Sequence, residues 1–554
     1  MRRLSNKVKI IILAFAAIIA IGFVTFDEQN FEISKNLDIY HTLFRELNLY
    51  YVDQTDPGDL IKTSIEEMLK SLDPYTVYIP ESKMEDYKFM TTGKYGGIGA
   101  LIRKNGDFVI ISEPYQGFPA FKAGLKAGDK IIEIDGKSVK GKNTQEISEL
   151  LKGEPNTEIK LSIERLGEKK NFEKLVIREN IKINSVPYYG MLTDSIGYIR
   201  LSSFTEACSK EVKDAFLKLK EEHNMQSLVF DLRGNPGGLL MEAVAVSNLF
   251  VEKGQEVVST KGKAKQWNRA YTAPTDPLDV NIPLVVLVNR GSASASEIVS
   301  GVIQDLDRGV VLGTRTFGKG LVQTTRDLSF NSKLKITTAK YYIPSGRCIQ
   351  ALDYTHRNDD GSVGRVPDSL ITEFKTKAGR SVYDGGGVLP DVQVEPQTLS
   401  KISLSLIIKN LIFDYATIYQ QTYDSIPAVE NFKITDEMYA DFVTFLSDKD
   451  FDYTMESEKL IIDLEKAVKN EKYLDKVSVE LEALRKKLGH DKDSDLQNFK
   501  NEISSLLYEE IASRYYYQTG RAKATLVDDP AIEKAKSLLQ SMDEYIDIIT
   551  VFAK

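Results

Sequence analysis

The chain predicts a multidomain α/β protein with helical N- and C-terminal regions, on three observations. Before Leu72, apolar residues recur at spacings of three and four: Leu37, Tyr40, Leu43, Phe44, Leu47, Tyr50 and Tyr51, then Leu60, Ile61, Ile65, Met68, Leu69 and Leu72. Between Ser195 and Val394, short apolar runs alternate with helical stretches, as in a sheet with crossover helices. From Pro427 to Pro530 there is no other proline, and only Gly489 and Gly520 interrupt a Leu-, Glu- and Lys-rich sequence. That end reads as an all-helical appendage. At 554 residues the chain has room for three or four domains.

Residues 1–27 read as a signal anchor or signal peptide. Arg2, Arg3, Lys7 and Lys9 precede the uncharged stretch Ile10–Phe26, which Asp27 and Glu28 close. The run is at the short end for a membrane span, about 17–25 residues, and long for a cleaved signal's apolar region, about 7–15. Both readings export the remainder; the anchor, basic end inside, is preferred and places the protein at the periplasmic side of the inner membrane. Residues 34–85 form the helical region, divided at Asp56-Pro57-Gly58 and ended by Asp73-Pro74. Residues 86–178 carry short β runs such as Phe108–Ile111, Lys130–Ile134 and Ile159–Ile163, with a hairpin turn at Asp135-Gly136. Residues 179–397 hold the alternating core, with strands at Ile196–Leu201, Leu228–Phe230 and Ile282–Val288 and a helix at Leu239–Phe250. Residues 398–554 are the C-terminal helical domain.

Composition narrows the function. A net charge of -8 opposes a nucleic-acid-binding surface, which is ordinarily basic. Cys208 and Cys348 cannot make a disulfide framework; one bridge between them is possible, but two unpaired thiols in a folded core are expected. His41, His223, His356 and His490 show no metal-ligand spacing, so no metal or organic cofactor is expected. A hydrolase built on this chain must therefore draw its general base from another residue type.

Three turns in the alternating core could carry chemistry: Asp231–Gly238 (DLRGNPGG), Gly291–Glu297 (GSASASE) and Gly318-Lys319-Gly320. Glycine loops that open helices offer bare backbone N–H groups to phosphate, carboxylate or a developing oxyanion. Gly313, Gly318 and Lys319 fit the phosphate-loop spacing. Gly320 stands where a magnesium-holding Ser or Thr belongs, however, and Leu321–Thr325 is strand-like, so the nucleotide reading fails. Ser294 lies after a strand and before a helix, where backbone amides can stabilise an oxyanion. The same residue with Glu297 makes an S-x-x-E capping box, a purely structural alternative. The nucleophile-elbow pattern G-x-S-x-G is absent. Lys319 is a candidate base, held between glycines that permit close backbone approach.

Taken together, Phe230–Gly238, Gly291–Ile298 and Gly318–Gln323 resemble the carboxyl-terminal processing (tail-specific) serine peptidases, a resemblance that runs from about Ser34 to Val394. Leu72-Asp73-Pro74 and Asp384–Asp391 match further family signatures. The resemblance implies a crotonase-like α/β protease core preceded by a peptide-binding PDZ domain. It implies Ser294 as nucleophile, Lys319 as general base and Gln323 as the side chain that positions the lysine. Ala295 and the Gly237-Gly238 turn match the region of the oxyanion-hole amides, with either glycine a possible donor. Gly97, Ile98, Gly99 and Ala100 resemble the PDZ carboxylate-binding loop, beside which a peptide C-terminus adds as a strand. Phe121–Asp129 strengthens that match. Burial lowers a lysine's pKa from about 10.4 towards neutrality, which a lysine base requires.

The function so implied is an exported endopeptidase that recognises accessible, apolar protein C-termini and cleaves upstream of them. An inactive PDZ scaffold that binds protein C-termini is the alternative, and an acyl-transfer or hydratase enzyme on the crotonase-like fold is more remote. The Leu-rich C-terminal helices suit packing within their own domain, with self-association to a homo-oligomer or caging of the active site as other uses.

Overall fold

The computed structural model describes residues 30–358, 360–488 and 491–550. The apolar segment Ile10–Phe26 and His490 lie outside the described residues. Among those described, no single helix is long and apolar enough to cross a membrane.

The chain divides into two compact units, 1–78 and 79–554. The first holds the expected helical pair, α1 (30–50) and α2 (Pro57–Lys70). Asp56 caps α2 by accepting from the N–H groups of Gly58 and Asp59, and Pro57 opens it, so the sequence divider is also the helix start. The two helices are joined by Tyr40 Oη and Ser64 Oγ at 2.5 Å.

The second unit holds a small antiparallel sheet of β1 (Ala100–Asn105), β2 (Phe108–Pro114), β3 (Lys130–Ile134), β4 (Glu158–Glu164) and β5 (Phe172–Ile177), in that order. Asp135 and Gly136 both have positive φ, 49° and 74°, which closes the tight turn their sequence predicted. Helix α3 (Thr144–Leu151) packs Ile147 and Leu151 onto the inner faces of these strands.

The larger sheet has the order β6 (Tyr188–Met191), β7 (Ile196–Arg200), β8 (Ser227–Asp231), β9 (Leu284–Val288), β10 (Val310–Gly313) and β11 (Val392–Gln393). Only β6 is antiparallel to its neighbour. β9 and the Leu228–Phe230 centre of β8 are apolar at every position because both faces are covered. On one face Leu228, Phe230, Leu284, Val286 and Val288 meet helices Cys208–His223, Leu240–Asn248 and α4 (Ala295–Asp305). On the other, Val229, Val285, Leu287, Val310 and Leu312 meet Ala531, Ile532, Ala535, Leu538 and Tyr545. These last residues belong to α6 (Pro530–Gln540) and α7 (Met542–Ile549).

The C-terminal region is therefore all helical as expected, but it is not an appendage throughout. Its own core gathers Ile402, Leu406, Phe442, Leu496, Ile503 and Leu507. Its last two helices form the second layer of the central sheet, and Tyr545 Oη bonds the backbone N–H of Leu284 at 3.0 Å. Sequence periodicity identifies an apolar helix face without identifying what it will cover. The long helix α5 (Lys500–Ala524) also reaches the small sheet: Arg521 Nε donates to Glu113 Oε2 at 3.3 Å, and Tyr517, at φ 51° inside the helix, sets its ring against Phe121.

Replacing fully buried Leu538 by alanine should cost about 2–5 kcal/mol, by lost transfer energy and the cavity left behind. Leu460→Ala, at a side chain 63% exposed, should stay within about 0.5 kcal/mol. Urea denaturation of both variants checks the contrast, and equal midpoints would mean that α6 does not support the sheet.

Candidate active site

The three turns singled out in the sequence meet at the ends of β8, β9 and β10. Ser294 is the residue before α4 and has φ 55°, ψ −110°, a conformation strained for a residue with a Cβ. The backbone thus makes the sharp strand-to-helix turn of a nucleophile elbow without the glycine-flanked motif. Its neighbour across the turn is Gly237, whose φ is 98°. A Cβ on Gly237 would stand 2.9 Å from Ser294 Cβ and 2.7 Å from the Ala293 carbonyl oxygen, so only glycine lets the two turns touch.

Asn235 holds the DLRGNPGG turn in shape. Its Nδ2 donates to the Leu201 carbonyl at 2.9 Å, and its Oδ1 accepts the Gly237 N–H at 2.9 Å. Its backbone carbonyl accepts from Ala293 N–H at 3.0 Å and from Ser296 Oγ at 2.9 Å. The Gly237 amide is thereby occupied. Among the described residues, nothing accepts from the N–H of Gly238 or of Ala295.

The lysine turn is bound to the serine turn through two side chains. Glu297, fully buried, takes four hydrogen bonds on its carboxylate: Ser294 N–H at 2.8 Å, Lys319 N–H at 2.9 Å, Gly318 N–H at 2.7 Å and Thr316 Oγ1 at 2.6 Å. Tyr341 Oη stands 2.5 Å from the Lys319 carbonyl oxygen and 3.1 Å from that of Ser294. One carboxylate thus gathers the two N–H groups, and one hydroxyl gathers the two carbonyls. Burial raises Glu297 to about 7, and the hydrogen bonds from Thr316, Lys319, Gly318 and Ser294 oppose the rise.

Lys319 is half-buried between buried Gly318 and Gly320. A Cβ at Gly318 would lie 2.4 Å from Ala351 Cβ, and one at Gly320 would lie 2.8 Å from Gln350 N, which is the close approach expected of these glycines. Gln323 sits four residues on in the strand Leu321–Asp327, just after a register shift. Its Nε2 donates to Thr337 Oγ1, directly opposite, at 3.2 Å. The strand after Gly320 also disposes of the phosphate-loop reading, which needs a helix there.

Gly97–Ala100 forms the link into β1, and Gly99 has φ 69° with its Cα against Phe118. Beside it lies a cleft of about 190 Å³ between β1 and α3, lined mainly by apolar side chains including Ile98, Ile102, Tyr115 and Leu151. Phe89 and Ile183, from segments flanking the small sheet, complete its wall.

Comparison with known proteins agrees with this layout. The profile of Peptidase family S41 matches residues 195–356, a PDZ domain matches 110–165, and the C-terminal helical domain of a probable PDZ-protease matches 402–539. The chain is 38% identical over 341 residues to a carboxy-terminal-processing protease of Bartonella bacilliformis, across 61% of this chain and 77% of that protein. The chain belongs to the carboxy-terminal-processing peptidases of family S41. It is thus a serine peptidase with a PDZ domain. A probable CtpA-like serine protease of Staphylococcus aureus is 36% identical over 347 residues, covering 61% of this chain and 68% of its own. Among solved structures, a photosystem II D1 C-terminal processing protease is 30% identical, covering 65% of this chain and 87% of its own with a TM-score of 0.35.

The sequence marks Glu297 only as a cap and Asn235 only as part of its turn, and gives no sign of Tyr341. The four-fold use of the Glu297 carboxylate depends on a lysine turn more than twenty residues away, and Tyr341 lies in a strand with no local signal.

A buried carboxyl whose folded pKa is raised binds its proton more tightly in the native state. Stability should therefore increase as pH falls from about 7 towards the ordinary carboxylate range, and decrease as pH rises through it. Thermal unfolding at a series of pH values should show this slope in the wild type and a shallower one in Glu297→Gln, since Glu113, Asp305, Asp414 and Glu509 are raised by burial as well. An unchanged slope would assign it to another group.

Proposed function

We propose that this peptidase cleaves proteins by a Ser294/Lys319 dyad, with Gln323 holding the lysine. The observation that carries the reading is the double bridge between the two turns, Glu297 to both N–H groups and Tyr341 to both carbonyls. No arrangement that merely caps a helix requires the lysine turn to be held in this way. A neutral Lys319 amine takes the proton from Ser294 Oγ as that oxygen bonds the carbonyl carbon of the scissile peptide. The carbonyl oxygen becomes an oxyanion facing the N–H groups of Gly238 and Ala295; Gly237 is set aside as a donor because Asn235 occupies its amide. As the C–N bond breaks, the lysine returns its proton to the leaving amine. Water then attacks the acyl-enzyme by the same proton path and frees the new C-terminus.

The cleft between β1 and α3 takes the substrate's C-terminal segment, its carboxylate on the amides of Gly97–Ala100 and its last side chain among Ile98, Ile102, Tyr115 and Leu151. An apolar last residue suits that lining. The basic and apolar N-terminal segment suits an exported chain held at the membrane, where the substrates would be exported proteins.

Ser294→Ala and Lys319→Ala should each abolish cleavage of a reporter protein with an apolar C-terminal tail while melting near the wild type. Full activity in either would remove that residue from the dyad. Amidating a peptide with the same tail should weaken its binding at least ten-fold, read by fluorescence anisotropy with Ser294→Ala protein. Equal affinities would show that the cleft does not hold a carboxylate.

A further inference from the structure

The DLRGNPGG turn is held from outside the peptidase core as well as from within it. Asp231, at the end of β8, accepts from the Arg233 backbone N–H at 2.8 Å and from Arg233 Nε and Nη2, and its Oδ2 also takes Tyr198 Oη at 2.7 Å. The remaining arm of the guanidinium, Nη1, donates to Asp529 Oδ2 at 2.6 Å. Asp529 lies 296 residues downstream, at the start of α6. Both partners are largely removed from solvent, with side chains 23% and 14% exposed. Burial pulls the Arg233 pKa down, yet the carboxylates of Asp231 and Asp529 outweigh it and hold the pKa above its ordinary value.

The two oxygens of Asp529 do separate work. Oδ1 caps α6, accepting from the N–H groups of Ala531 and Ile532 at 2.9 and 3.4 Å. Oδ2 is spent on Arg233. The cap does not need the arginine, and Asp231 alone already neutralises it, so a second buried carboxylate adds a charge that neutrality does not ask for. What it adds is geometry. With Asp231 on one edge and Asp529 on the other, the guanidinium is fixed in plane and direction. Arg233 stands early in the turn that closes at Gly238, the residue whose N–H is proposed above as an oxyanion donor.

We propose that Asp529 is a positioning residue for the peptidase reaction: it holds the free arm of Arg233 and thereby keeps the Gly238 N–H where the oxyanion forms. The inference rests on the assignment of Gly238 as an oxyanion donor made above. It gives the C-terminal helical region a direct part in turnover, distinct from its part in stability.

The test uses the full chain and separates the two oxygens of Asp529. Asn keeps the cap and removes the charge from Arg233, and Asp529→Ser, also a capping residue, is the second variant should Asn fail to fold. Tyr545→Phe is the control, since it loosens α7 from Leu284 without touching Arg233. Labelling of Ser294 by a fluorophosphonate, with Ser294→Ala as blank, first establishes the nucleophile. Asp529→Asn should then lower kcat about ten-fold or more, with KM within about two-fold and melting near the wild type; removing an oxyanion donor outright costs about 10²–10³. Its affinity for a peptide boronate, whose tetrahedral adduct mimics the transition state, should fall in parallel with kcat/KM. Tyr545→Phe should lower the melting temperature and leave kcat and boronate affinity unchanged. Labelling and turnover in the wild type, with wild-type kcat in Asp529→Asn, would overturn the role of Asp529 alone. Losses that merely follow melting temperature across Asp529→Asn and Tyr545→Phe would also overturn it. Failure of the wild type to be labelled at Ser294 would overturn the dyad and this inference together.

Discussion

The carboxylate of Glu297 is the constraint on which the meeting of the serine and lysine turns depends. It is fully buried and accepts four hydrogen bonds from two stretches of the chain, Ser294 at the start of its own helix and the segment 316–319 that carries Thr316, Gly318 and Lys319. An unpaired buried carboxylate costs several kcal/mol, so the four donors are what make its position tenable. The reverse also holds. Each donor is a backbone or hydroxyl group that would otherwise be stranded away from water, and the single acceptor draws them to one point. Tyr341 closes the same assembly from the carbonyl side. Because the serine and lysine turns are joined by their backbones, the relation between the two side chains does not rest on the side chains themselves.

The architecture around this centre follows from covering one sheet on both sides. Alternation along β8 and β9 sends Leu228, Phe230, Leu284 and Val286 one way and Val229, Val285 and Leu287 the other. The first face is met by helices close in sequence, the second by α6 and α7. The helical region that supplies these also contacts the PDZ domain, through a cluster in which Arg521 bridges Glu113 and Glu510 while Arg103 and Arg514 stack on Phe413. One region therefore touches the PDZ domain by Arg521 of α5 and the DLRGNPGG turn by Asp529, eight residues further on.

Much of this was legible in the sequence because it is local. The hairpin at Asp135-Gly136, the strands at Lys130–Ile134 and Leu321–Thr325, and the start of α2 at Asp56-Pro57 all depend on residues adjacent in the chain. The serine and lysine turns were found for the same reason, with family resemblance supplying the roles. What was not legible is what long-range packing decides. Glu297 reads locally as a cap, and only the folded chain brings Lys319 to it. The amide of Gly237 reads like that of Gly238 until Asn235 is seen to occupy it. The amphipathic face of α6 is plain in sequence, but nothing local says that it lies on Val229, Val285 and Leu287 rather than on other helices.

The placement of α6 and α7 has a consequence for biosynthesis. The sheet's last strand, β11, ends at Gln393 and α6 begins only at Pro530, so a ribosome completes the sheet before the helices that cover its second face exist. Through that interval Val229, Val285, Leu287 and Leu312 form an uncovered apolar surface, of the kind that chaperones retain and that aggregates if they do not. Arg233 also waits for its outer partner until Asp529 is made. A chain translated only through β11 already holds Ser294 and Lys319 but lacks α6 and its contacts with the sheet.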